Sequence, residues 1–182
     1  MKKETVSYVL RLGITLFLIT AVVAGLLGLV NFITKDKIDA INLEKSNAAK
    51  SAVLDAAVYT EVTDYSDDSG LVRSLWRADD KGYVAECVVG GSQGDIDLMV
   101  GIDSTGSCTG ISVISSSETA GLGAIAGESS EKGEAFRSQY SGRSGGGIDA
   151  ISGATITSSA VTDAVNSALA CVSAMIGEEV GQ

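Results

Sequence analysis

The hydrophobic pattern of the chain changes period twice. From Leu12 to Thr34 no charged residue occurs, and 23 residues at 1.5 Å each make about 34 Å of helix, enough for a bilayer core of about 30 Å. A cleaved signal peptide carries an apolar core of only about 7–15 residues. Here Leu26, Leu27, Leu29, Val30, Phe32 and Ile33 continue beyond the small-residue patch Ala21 to Gly25, so a retained transmembrane helix over 12–34 is expected. Ile38, Ile41, Ala48, Ala49, Ala52, Val53, Ala56 and Ala57 then recur at spacings of three and four. That is the helical period, and it predicts a helical connection over 35–60.

Beyond it the period becomes two. Leu71 to Ala78, Tyr83 to Val89, Ile96 to Ile102 and Cys108 to Ser115 read as strands, with turns at Asp79 to Gly82, Gly90 to Gly94 and Asp103 to Gly106. Strands joined this tightly form an antiparallel meander. Ser116 to Gly147 is rich in Ser and Gly, with a short helix expected over Ser130 to Tyr140. A connection this long in a compact domain is usually functional. Val161, Val165, Leu169, Val172 and Ile176 then form one apolar stripe, a helix expected to be capped by Thr157 or Ser158 and ended by Gly177. The expected fold class is α+β, one transmembrane helix followed by an antiparallel sheet packed with helices. Its parts are an N-terminal segment 1–11, the span 12–34, the connection 35–60 and a domain 61–182.

Charge adds an orientation. Lys2, Lys3 and Arg11 precede the span, whereas Lys35 and Lys37 after it alternate with Asp36 and Asp39. Positive residues stay inside, which places the N-terminus in the cytoplasm and the domain outside the cell (inner) membrane. After Thr34 there are 10 Lys and Arg against 22 Asp and Glu, a surface that repels phosphate backbones and argues against nucleic-acid binding. Histidine is absent, so no histidine base or ligand is available. Cys87, Cys108 and Cys171 have no CxxC spacing, which argues against an iron–sulfur cluster or metal site; they read as buried thiols. Trp76 and Tyr83 fall in strand patterns and read as core.

The candidate chemistry lies just before the last helix, in Asp149-Ala150-Ile151-Ser152-Gly153-Ala154-Thr155-Ile156-Thr157-Ser158. A glycine turn feeding a helix N-terminus offers N–H groups to an anion. It is also an ordinary hydroxyl-rich cap, and the helix dipole contributes only about 0.3–1 kcal/mol at an exposed end.

Ser152-Gly153-Ala154-Thr155, with Asp149 three positions ahead, resembles the S/T-G-A-T motif of the FMN-binding domain family. The resemblance implies FMN joined through its phosphate to the Thr155 hydroxyl, loaded from FAD by a separate flavin transferase. It implies that Gly153 and Ala154 let the phosphate approach, that Asp149 serves the modification, and that Ser152, Thr157 and Ser158 are phosphate or cap hydroxyls. A second family motif, approximately H-x-E-T-P-G-L-G, is similar to Ser116 through Gly123, retaining Glu118, Thr119, Gly121, Leu122 and Gly123. Ser116 stands where histidine is frequent, and Ala120 where proline is. In the family this loop lies against the flavin.

The layout over nearly the whole chain is similar to the G subunits of Rnf electron transport complexes, relatives of the C subunits of sodium-pumping NADH:quinone reductases. That implies an electron-relay subunit with little independent catalysis, working with other membrane subunits between ferredoxin and NAD and coupled to ion translocation. Two other readings remain: a stand-alone anchored flavoprotein serving extracellular electron transfer, and an anchored binding module without cofactor.

Overall fold

A computed structural model describes residues 3–180. Lys2, counted above in the basic flank, lies outside the described residues, as do the side chains of Lys3 and Asp39. The chain forms two compact units, Met1–Glu44 and Lys45–Gln182.

The first unit is helical throughout its described length and belongs to α1, Lys3–Val53. Its apolar side chains point outward on every side; Phe17, Leu27 and Phe32 are all well exposed. A helix apolar all round suits a lipid environment, where every backbone polar group is satisfied within the helix. The hydroxyls obey the same rule: Thr15 donates to the Arg11 carbonyl at 2.9 Å and Thr20 to the Leu16 carbonyl at 3.0 Å. The helix is long and apolar enough to cross a membrane.

The second unit opens with the last turns of α1, whose Ala49 and Val53 are buried against the sheet. For that reason the compact unit begins at Lys45 rather than at the expected residue 61. The helical connection also ends earlier than residue 60, because α1 stops at Val53 and β1, Tyr59–Val62, pairs with β2, Val72–Ala78. Four residues are too few to register as a period. Just before β1 the chain is tied to a residue distant in sequence: the Asp79 carboxylate accepts from the Ala57 N–H at 2.8 Å.

The remaining strands are β3, Gly82–Gly90, β4, Asp95–Asp103, and β5, Cys108–Ser116. They lie in the order β1-β2-β3-β4-β5, each pair antiparallel. The four expected strands are all present, each within a residue of its expected ends. Alternation assigns the two faces. Tyr83, Ala85, Cys87 and Val89 with Ile96, Leu98, Val100 and Ile102 meet α3, Thr155–Val180, through Val161, Val165, Leu169 and Val172. Val84 and Met99 point the other way, toward Ala49 and Val53. On that side the Lys50 ammonium sits 3.5 Å from the centre of the Trp76 ring.

The α3 stripe is as expected, but both ends differ. The helix starts at Thr155, so Thr157 and Ser158 lie inside its first turn and do not cap it; the Ser158 N–H already bonds to the Ala154 carbonyl at 2.9 Å. At the other end it runs past Gly177 to Val180. Glycine stops a helix by entering the left-handed region, and Gly177 does not.

Between β5 and α3 the chain makes a 3₁₀ helix, Gly123–Gly127, and α2, Glu131–Ser138, within the expected Ser130 to Tyr140. The Ser130 hydroxyl caps α2 by accepting from the Gly133 N–H at 3.2 Å. Arg137 donates to the carbonyls of Ala126 at 2.8 Å and Glu128 at 2.9 Å, joining the two helices. Phe136 and Tyr140 meet edge to face at 5.6 Å, and the Tyr140 hydroxyl pairs with that of Thr162 at 3.0 Å. The Ser/Gly-rich segment is therefore anchored to α3 and carries the residues next to the motif.

Candidate functional site

Three separate stretches meet at the start of α3. Gly153 turns the chain into the helix with φ of 80°, a conformation that costs a side-chain-bearing residue about 1–2 kcal/mol. The turn is closed by the Ala154 N–H to the Ile151 carbonyl at 2.9 Å. It is then latched onto the helix by Ser158, whose hydroxyl accepts from the Ile151 N–H at 3.0 Å and donates to the Ala154 carbonyl at 2.9 Å. Thr155 follows as the first helical residue, with its side chain exposed.

Thr155 opens on a cavity of about 380 Å³, within the range of roughly 300–1,000 Å³ usual for small-molecule sites. Gly153, Ala154, Thr155 and Thr157 form one wall, and Glu118, Thr119 and Leu122 another. Seven of the eleven expected site residues are thus brought together. Gly121, Asp149 and Ser152 line a neighbouring cavity of about 330 Å³ with Phe136 and Gln139. Ser158 is buried and its hydroxyl is committed to the latch.

Ser92 and Gln93, from the β3–β4 turn, complete the first cavity. Local pattern marks them only as part of a glycine turn; their place is set by hairpin register, more than 60 residues before Thr155. Ile156 also joins the lining. Among the described residues of the second unit, the large apolar side chains left exposed are Val58, Leu122 and Ile156, and the last two flank this opening.

The electrostatics centre on Glu118. Partial burial pushes its carboxyl up, but hydrogen bonds from the Thr157 hydroxyl and from the N–H groups of Gln93, Ser92 and Gly94 outweigh it and hold the group below the usual carboxylate range. The Thr157 bond is 2.6 Å and the Gln93 bond 2.9 Å. Ser116, at the histidine position of the loop, accepts from the Glu118 N–H at 3.2 Å. The turn at Ala120 closes without proline, through the Leu122 and Ala124 N–H groups to the Thr119 carbonyl, each at 3.2 Å.

The site therefore offers an exposed hydroxyl on a helix N-terminus, where the first N–H groups lack helical acceptors. Beside it are apolar rims and no histidine or cysteine. Those donors suit a phosphate-bearing, flat apolar group. Burial makes the cysteines poor ligands and nucleophiles, the Cys87 thiol being pushed up to about 12 and that of Cys108 to about 11. Among the described residues no group of acidic, Cys or His side chains could hold a metal.

Known proteins share the sequence of both units. Residues 91–170 match the FMN-binding domain family, and residues 1–52 match the N-terminal region of RnfG. A protein of Methanosarcina acetivorans, the G subunit of an ion-translocating oxidoreductase complex, is 37% identical over 177 residues, covering 90% of this chain and 94% of its own. The G subunit of the Na(+)-translocating ferredoxin:NAD(+) oxidoreductase complex of Acetobacterium woodii is 31% identical over 189 residues, covering 87% and 88%. The chain carries an FMN-binding domain. It belongs to the family of G subunits of ion-translocating oxidoreductase complexes, and its apolar N-terminal helix, long enough to cross a bilayer, accords with membrane association.

Proposed function

We propose that the chain is an electron-relay subunit of a membrane-bound, ion-translocating oxidoreductase of the ferredoxin:NAD type, carrying FMN as a phosphoester of Thr155. The observation that carries the reading is the exposed Thr155 hydroxyl on a cavity rimmed by Leu122 and Ile156. FMN supplies one- and two-electron redox chemistry when bound. The chain's own residues supply the attachment atom, the glycine turn that lets phosphate approach and the apolar rim. Membership of the G-subunit family favours a place among other membrane subunits over a stand-alone role.

A covalent bond matters here because the dipole of an exposed helix end holds an anion by only about 0.3–1 kcal/mol. The bond is made by a separate flavin transferase acting on FAD. Asp149 and Ser152, in the neighbouring cavity, serve recognition of the turn during loading rather than electron transfer. The cation bias around residues 12–34 favours an N-terminus in the cytoplasm and a flavin domain outside. A C-terminal alkaline phosphatase fusion that is active supports this topology, and an inactive one reverses it.

The flavin reading is tested by producing the chain with a flavin transferase and examining the fully denatured band for fluorescence. Expected is a fluorescent band for the native sequence and for Ser159→Ala, and a dark one for Thr155→Ala. Fluorescence retained by Thr155→Ala contradicts the proposal.

A further inference from the structure

The Glu118 carboxylate is held more tightly than a rim residue requires. Its two oxygens take the Thr157 hydroxyl, on α3, and the Gln93 N–H, on the β3–β4 turn, with the N–H groups of Ser92 and Gly94 adding to the second contact. The surrounding backbone is shaped to admit it. A Cβ at Gly91 would collide with one Glu118 oxygen; a Cβ at Gly123 would collide with the other and stand 2.6 Å from the Thr157 hydroxyl. Gly91 on the β3–β4 turn and Gly123 at the end of the loop that carries Glu118 thus both leave room for this one side chain. Among the described residues, no backbone hydrogen bond outside the regular elements joins residues 91–94 to residues 153–158, so the carboxylate is what connects them.

We infer that Glu118 is a positioning residue which, through Thr157, fixes the β3–β4 turn against the first turn of α3 and so sets the width of the cavity beside Thr155. The flavin consequence rests on the function proposed above; the tether itself does not. A hydrogen bond to a charged group is about twice as strong as one between neutral groups, so removing either partner loosens the turn. Misplacing a reacting group by about 1 Å can cost on the order of 100-fold in rate, so a mobile wall slows attachment at Thr155.

The test uses the full chain in detergent, free of flavin, as Glu118→Ala, Thr157→Val and Thr157→Ser. Leu169→Ala, a core truncation away from the cavity, controls for general loss of stability. Hydrogen exchange is read at Ser92 to Gly94, and the rate of flavin incorporation is read with a transferase and FAD. Expected for Glu118→Ala and Thr157→Val is exchange at Ser92 to Gly94 faster by about tenfold or more, with flavin incorporation slowed about tenfold. Thr157→Ser, which keeps the hydroxyl, recovers most of both losses, and Leu169→Ala alters neither selectively. Unchanged exchange in both disruptive variants overturns the tether; faster exchange with an unchanged incorporation rate overturns the positioning role. A native chain that stays unlabelled by an active transferase overturns the Thr155 reading instead, while the exchange data decide the tether by themselves.

Discussion

Replacing Ser158 by alanine tests how the glycine turn is held to the helix. The side chain is 2% exposed, and its hydroxyl makes two hydrogen bonds. The Ala154 carbonyl keeps a second donor, the Ser158 N–H at 2.9 Å, so little is lost there. The Ile151 N–H, which donates to this hydroxyl at 3.0 Å, loses its acceptor. An unsatisfied donor away from water costs about 1–3 kcal/mol; Ile151 is half-buried, which places the cost near the lower end, about 1–2 kcal/mol. Alanine returns about 0.5 kcal/mol in helix propensity. The net loss is then about 1 kcal/mol, or about 4 °C in melting temperature for a unit of this size. Ser159→Ala, in the same turn but exposed, keeps only the propensity gain. The assay follows Trp76, the single tryptophan, whose fluorescence reports the second unit without interference from the membrane helix. Ser158→Ala should melt below the native protein and Ser159→Ala at or slightly above it. Equal melting of the two variants would show that the latch carries no energy.

Gly153→Ala should cost about 1–2 kcal/mol for a side chain at positive φ, and its Cβ would stand 3.3 Å from Leu122 Cδ2; Trp76-monitored denaturant melts measure the loss, and slower flavin attachment should accompany it. Stability should fall with acid. Glu118, Asp67 and Asp103 each have burial raising the carboxyl and hydrogen bonds more than reversing it, so each is held below its ordinary value. Such groups bind protons more readily when unfolded, so their contribution is full above the unfolded values of about 4 and is lost as pH falls through the folded ones. Asp97, raised by burial and by the Glu86 charge, works in the opposite direction. Melts at neutral pH and below pH 4 check the balance, with lower stability in acid expected. Cys87, Cys108 and Cys171 are buried and their thiols raised chiefly by burial, so a thiol reagent at mildly alkaline pH should label them only after unfolding; rapid labelling of the native protein would contradict the packing described.

The strands and the last helix were legible because each buries one face, and burial writes its period into the sequence: Ile96, Leu98, Val100 and Ile102 against α3, and Val161, Val165 and Val172 against the sheet. The strand at Tyr59–Val62 was not, since it is short, pairs on one side only with β2, and is approached through a bond from Ala57 to Asp79, 22 residues further on. The ends of α3 misled for a related reason. Thr157 and Ser158 look like caps, but their hydroxyls are used sideways, toward Glu118 and Ile151. The two motifs named the main walls of the cavity, yet local sequence could not show that Asp149 and Ser152 face a different cavity from Thr155. Nor could it show that Ser92 and Gln93 belong to the site. Those depend on how a hairpin, a loop and a helix end meet in space.

The most direct measurement is peptide mass spectrometry of the full chain after production with a flavin transferase and complete denaturation. Expected is a mass increase of one FMN less one water, confined to the segment following Gly147 and localised by fragmentation to Thr155. A chain of unmodified mass beside a transferase active on another substrate, or a flavin localised to any other residue, would contradict the assignment.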